Sequence, residues 1–269
     1  MQYSYVRNCS GSNNRAATFS PPVVTIPIVD LSKLDAQALI VKACEDFGFF
    51  KVIYHGVPMD AISKLEEEAT KFFSLPTSDK EKVGLANPFG YGSKSIGCKN
   101  DAGWIEYLLV KTNSQHTYTD TLHKPEQFRC ALDEYMVAMR KMACEILELM
   151  AEGLKIEERN VLSKLVMDEE SDSCFRLNHY PACPEITMAS SNEKNTNKVG
   201  FGEHTDPQII SLLRSNNTPG FQIYVGDGNW IPVPPDHTSF FVNVVAHYLD
   251  EFLKSEDFWF GQCWALRHM

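Results

Sequence analysis

Two residues on one short segment offer the clearest chemistry. The run Gly200-Phe-Gly-Glu-His204-Thr-Asp206 places an imidazole and a carboxylate two positions apart. In an extended strand, positions i and i+2 project to the same face, so both side chains could hold one metal ion. One imidazole and one carboxylate with open positions suit non-haem Fe(II), which also needs a third protein ligand, normally another histidine. On its own a His-x-Asp triplet arises easily by chance, and its meaning depends on the elements around it.

Those elements are legible as a pattern of short β-runs. From Cys174 onward, apolar stretches at 174–180, 199–204, 208–214, 221–225, 229–233 and 239–245 alternate with the turns Asn216-Asn-Thr-Pro-Gly220, Gly226-Asp-Gly228 and Pro234-Pro-Asp236. Regularly spaced short strands predict a sandwich or a jelly roll. Upstream the texture is mainly helical. Residues 35–47 read as a helix with Ala38, Leu39, Lys42 and Ala43 at helical spacing, stopped by Gly48. A helix over 59–73 carries Ile62, Leu65, Ala69, Phe72 and Phe73 on one stripe. A long helix over 124–154 carries Phe128, Leu132, Tyr135, Met136, Met139, Ala143, Ile146, Leu147 and Met150. A strand is expected at 24–30 and another at 49–53, and 84–103 is Gly-rich and irregular.

Larger patterns then carry a resemblance. Asn178-His-Tyr180-Pro, the uninterrupted run from His204 to Asn217, Gly220-Phe-Gln-Ile, Trp230 and Val233-Pro-Pro-Asp-His-Thr-Ser-Phe-Phe-Val-Asn243-Val244 resemble the core of the plant 2-oxoglutarate- and iron(II)-dependent dioxygenases. Ile26-Pro-Ile-Val-Asp30, Ala43-Cys-Glu-Asp-Phe-Gly-Phe-Phe50 and His55-Gly-Val-Pro58 resemble that family's N-terminal region. Gly103-Trp104-Ile-Glu106-Tyr107-Leu-Leu109 narrows the resemblance to its gibberellin 2-oxidases. Tyr54 departs from the family, which usually has Asn there.

The resemblance implies an α+β fold with a double-stranded β-helix core and flanking helices. It implies Fe(II) as cofactor, 2-oxoglutarate and O2 as co-substrates, ascorbate as an accessory reductant, and a gibberellin as the small-molecule substrate. 2-Oxoglutarate is decarboxylated to succinate and CO2 while carbon 2 of the gibberellin is hydroxylated, which inactivates the hormone. Residue by residue, His204 and Asp206 match two iron ligands, and Asn178 and Tyr180 match positions that contact 2-oxoglutarate. Trp104 and Tyr107 are candidates for the gibberellin pocket, where packing is the competing role. After Val244 the family pattern ends: its third histidine and its Arg-x-Ser clamp for 2-oxoglutarate have no match, and His247 and His268 are weak substitutes. The expected organisation is a disordered leader (1–22), an N-terminal region (23–155), a partial jelly roll (156–244) and a divergent tail (245–269). Without late strands the jelly roll should expose sheet edges, and His268 should lack a strand pairing to anchor it. An inactive isoform that binds a partner, and a family member with another substrate, remain the alternatives.

Composition narrows the remaining classes. The 269 residues carry a formal charge of −10, which gives no general attraction for nucleic acid or anionic membrane, though a site can be locally basic. No apolar run approaches a membrane span. Eight scattered cysteines without a CxxC pair read as reduced thiols, and a cytoplasmic location is expected. Homo- or hetero-oligomers are possible partners.

Overall fold

The structure, a computed structural model, describes residues 25–93, 105–112, 126–181, 200–201, 204, 206, 208–224 and 230–244, together with the backbone of two terminal strands. Eleven strands are named: β1 (Tyr3–Val6), β2 (Ile28–Asp30), β3 (Phe49–Ile53), β4 (Gly90–Ser93), β5 (Glu106–Lys111), β6 (Cys174–His179), β7 (Ile210–Ser215), β8 (Phe221–Tyr224), β9 (Trp230–Pro232), β10 (Phe240–Val244) and β11 (Cys263–His268). The helices are α1 (Ala36–Asp46), α2 (Met59–Phe73), α3 (Thr77–Lys80), α4 (Glu126–Gly153) and α5 (Val161–Met167). One sheet has the order β2-β3-β10-β7-β11-β6-β5-β4, and a smaller one β1-β8-β9.

Alternation along β3 and β10 builds two cores at once. Phe50, Val52, Phe240, Val242 and Val244 pack on the helical side with the stripes of α2 and α4. Phe49 and Phe241, the residues between, face the small sheet, where they meet Ile223 and Val233. Their rings stack with centroids 5.5 Å apart, and Phe221 closes edge-on at 5.1 Å. All nine expected apolar positions of α4 are buried, as are all five of α2. The ion pair of buried Arg214 with half-buried Glu66 ties α2 to β7, and Arg214 also donates to the His237 carbonyl (3.2 Å).

Several expectations need correction. On α1 the buried face is Ala36, Ile40, Ala43 and Cys44; Leu39 is exposed and Lys42 pairs with Asp46 at 2.9 Å in solvent. Lys42 is therefore a surface position, and the apolar stripe lies about one residue around the helix. Residues 90–93 and 106–111 form strands where no strand was expected. The described residues 200, 201 and 204 belong to no named strand. At the termini, Tyr3–Val6 pairs antiparallel with β8, so the leader is not wholly disordered. Cys263–His268 lies between β6 and β7, parallel to both. The expectation that His268 has no pairing strand is wrong. Its backbone stands opposite His179, because β6 and β7 each present ladder groups to the slot between them and an extended segment satisfies both. Of the expected tail, residues 245–262 lie outside the described residues. Among the described residues, no helix is long and apolar enough to cross a membrane.

The turn before α2 shows one strained position. The His55 ring accepts the Val57 N–H at Nδ1 (3.1 Å) and packs edge-on against Phe240 (4.8 Å). Reaching that geometry puts Tyr54 at φ 53°, with its side chain 72% exposed. A bulky residue in the left-handed region is disfavoured, whereas Asn tolerates it. Tyr54→Asn should therefore raise stability by about 1 kcal/mol, and the melting temperature by roughly 2–4 °C in a thermal denaturation curve; an unchanged or lower value would contradict this reading.

Candidate active site

The site grows from the register of β7 and β10. Asn243 and Ser211 are direct cross-strand partners, on the face that also carries Phe241 and Leu213 toward the small sheet. The Asn243 Nδ2 donates to Asp206 Oδ2 at 3.1 Å. Burial pushes the Asp206 carboxyl upward, but hydrogen bonds from His204, Asn243 and Ser211 outweigh it and hold the group below the ordinary carboxylate range. Asp206 Oδ1 lies 3.3 Å from His204 Nε2, and the Phe201 ring stands edge-on to the His204 ring at 4.2 Å. His204 and Asp206 thus lie side by side, and neither belongs to a named strand.

A second wall comes from β6. Phe175 and Leu177 are in the core, so Arg176 and Asn178 occupy the opposite face. Arg176 Nε donates to Asn178 Oδ1 at 2.8 Å. The Arg176 guanidinium lies 4.2 Å from the centroid of the Tyr107 ring and 4.9 Å from that of Phe201. Tyr107 and Asn178 are register partners across β5 and β6. The Tyr107 ring also covers Gly92, where an added Cβ would fall 2.5 Å from it. The Tyr180 ring covers Gly200 in the same way, also at 2.5 Å. Asn178, Tyr180, Tyr107, His204 and Asp206 therefore belong to one neighbourhood, linked through Arg176 and Phe201. Trp104 and His247 lie outside the described residues, and of His268 only the backbone strand is described.

The back of this wall is a polar cluster that sequence reading missed. Glu106 Oε2 accepts from Lys80 Nζ and from the Tyr91 hydroxyl, both at 2.5 Å, and Glu106 Oε1 lies 2.6 Å from His179 Nδ1. A carboxylate only accepts, so His179 donates from Nδ1. Lys80 also donates to the Phe73 carbonyl (3.1 Å), and the Phe73 ring stacks on His179 at 5.1 Å. Burial raises the Glu106 carboxyl, but its three donors and the Lys80 charge more than reverse this and bring it down to about 2. Burial also moves the Tyr91 phenol up, reinforced by its bond to Glu106. The cluster locks α3, β4, β5 and β6 together directly behind Tyr107 and Asn178.

The donor set fits part of an iron site. One imidazole and one carboxylate, oriented by Asn243 and Ser211, supply two positions of a three-ligand face. Among the described residues, no cluster of three or more His, Cys, Asp or Glu side chains gathers to complete it.

Comparisons with known proteins match both parts of the chain. Residues 26–130 match the family model described as non-haem dioxygenase in morphine synthesis N-terminal, and residues 171–249 match the 2OG-Fe(II) oxygenase superfamily. Gibberellin 2-beta-dioxygenase 1 of Pisum sativum is 63% identical over 243 residues, which cover 90% of this chain and 70% of that protein. The gibberellin 2-beta-dioxygenase of Phaseolus coccineus is 54% identical, covering 84% and 68%. Among solved structures, a full-length Neurospora crassa protein in complex with alpha-KG superposes with a TM-score of 0.71 at 20% identity, over 84% of this chain and 74% of that one. JOX2 in complex with 2OG, Fe and JA gives 0.66 at 27% identity, over 89% and 68%.

The Glu106 cluster makes a pH-dependent prediction. A carboxyl held below its ordinary 4.5 contributes stability that is complete above pH ~4.5 and is lost as pH falls toward about 2. Glu106→Gln should cost on the order of 3 kcal/mol at pH 7 in urea denaturation. The gap to the parent protein should stay constant from pH 7 to about 5 and shrink below that; a gap that widens on acidification would mean the carboxylate is not the stabilised form.

Proposed function

Because the chain belongs to the 2-oxoglutarate- and iron(II)-dependent oxygenases and, among them, to the gibberellin 2-beta-dioxygenase family, we propose that it hydroxylates gibberellins at carbon 2 with oxidative decarboxylation of 2-oxoglutarate. The observation that carries this reading is the 3.3 Å approach of His204 to Asp206 within a chain 63% identical to a gibberellin 2-beta-dioxygenase.

Each residue then has a defined task. His204 and Asp206 would hold Fe(II), with His247 and His268 as weak candidates for a third imidazole. Iron held there would supply O2 activation and a binding position for 2-oxoglutarate, with ascorbate as the accessory reductant. Asn243 and Ser211 fix the rotamer of the Asp206 carboxylate and keep it ionised. Asn178 and Tyr180 flank 2-oxoglutarate on the face of β6 that looks away from the core. Tyr107, and Trp104 before it, line the gibberellin side, where apolar walls exclude water from the reacting carbon. The protein acts in the cytoplasm on a small molecule, without nucleic acid or membrane, consistent with its charge of −10; self-association is an open choice for this surface. The same assay addresses the binding-only reading.

Incubation with a gibberellin, 2-oxoglutarate, Fe(II), ascorbate and air should give a product one oxygen heavier and an equal amount of succinate by mass spectrometry. His204→Ala and Asp206→Ala should each abolish both. Turnover that survives either change would put the metal elsewhere; a parent chain that binds gibberellin and yields no product would favour the binding-only role. Asn243→Leu should lower Fe(II) affinity roughly 10-fold or more in anaerobic titration, because the carboxylate loses its orienting donor.

A further inference from the structure

The Tyr180 ring covers Gly200 so closely that the start of the metal-ligand segment has no room for a side chain. We propose that Gly200 is a positioning residue for the metal ligands: it is the socket in which the Tyr180 ring seats, and that seat fixes the segment leading to His204 and Asp206 against the end of β6; this rests on the iron-site reading.

Each link has its own support. A Cβ at Gly200 would fall 2.5 Å from both Cδ1 and Cε1 of Tyr180 and 3.7 Å from its Cγ. Carbon atoms in good contact lie about 3.5–4.0 Å apart, so a single methyl group would force ring or segment to give by roughly 1 Å. Gly200 is not among the glycines at positive φ. Space for the ring, and not a special backbone conformation, is therefore what glycine supplies here. The ring itself stands on a firm base. Pro181 restricts the backbone of Tyr180 from one side. On the other, His179 is held at 2.6 Å by Glu106, which also bonds Lys80 and Tyr91 in the interior. Beyond Gly200 the next residue, Phe201, sets its ring edge-on to His204 at 4.2 Å, and His204 Nε2 lies 3.3 Å from Asp206 Oδ1. A displacement at Gly200 thus reaches the first ligand through one residue and one ring contact. Asn243 supports Asp206 by a hydrogen bond; the Tyr180–Gly200 seat is the matching support for the stretch that leads to His204.

Tyr180 is also a candidate contact for 2-oxoglutarate, so the test uses the metal alone. Anaerobic Fe(II) titration without 2-oxoglutarate would compare the parent chain, Gly200→Ala, Tyr180→Ala and the double variant, beside thermal melts of the metal-free proteins. Gly200→Ala should weaken Fe(II) binding about 10-fold or more in the parent background, and less than about 2-fold once Tyr180→Ala has removed the ring. An equal loss in both backgrounds overturns the proposal, because the methyl group would then act without the ring. A lower melting temperature with Fe(II) affinity unchanged also overturns it, because the contact would then be merely structural. Where Gly200→Ala fails to fold, Tyr180→Ala decides alone, since it removes the seat without adding a clash: weaker Fe(II) binding supports the proposal and unchanged binding overturns it. A parent chain that binds no Fe(II) overturns the iron-site reading and this proposal with it, whereas the other negative outcomes leave that reading intact.

Discussion

Everything in this molecule depends on the period-two alternation of one strand. All five residues of β10 are buried, with neighbours on both faces. Phe240, Val242 and Val244 face the helices; Phe241 and Asn243 face the small sheet and the site. Burying each large apolar side chain contributes roughly 1.5–3 kcal/mol, whereas the single hydrogen bond from Asn243 to Asp206 contributes about 1–3 kcal/mol. Packing therefore sets the register and the polar contact inherits it. A slip of one residue would exchange the two faces, placing an asparagine in the helical core and removing the support of Asp206.

This division explains what could be read from the sequence. Periodicity gives α2, α4 and most of β6 to β10, because each buries a regular stripe whose pattern is local. It misplaces the face of α1, a helix whose first buried residue, Ala36, is too small to distinguish itself from its neighbours. It overlooks β5, where the buried positions alternate as Glu106, Leu108 and Val110, and a glutamate opens the series. The site pair was legible only through the family resemblance, because a His-x-Asp spacing alone arises easily by chance; in the structure Asn243 and Ser211 support its carboxylate. The Glu106 cluster was not legible at all: its partners lie 15, 26 and 73 residues away, and no local signal marks such a set. The pairings of β1 and β11 are equally non-local, which is why no local signal marked the leader as paired and the end of the family pattern after Val244 suggested an unpaired tail.

The charges divide into two populations with different consequences. Lys42–Asp46, Lys71–Glu67 and Lys82–Asp79 bridge exposed surface and contribute little each. Lys80–Glu106 and Arg214–Glu66 are drawn into the interior, where each charge depends on its partner. The interior pairs sit at joints between helices and the large sheet.

Two glycines on one edge strand have opposite freedom to change. A side chain at Gly90 would run into the backbone of Gly84, 2.5 Å away, and its φ of 125° suits no other residue. At Gly92 the obstruction is only the Tyr107 ring, which can swing. An alanine there would unseat that ring from Arg176 without touching His204, Asp206 or the core. Gly90 is thus fixed by the fold. Gly92 is a point from which descendants of this sequence could reshape the pocket and drift toward new ligands while keeping the reaction chemistry.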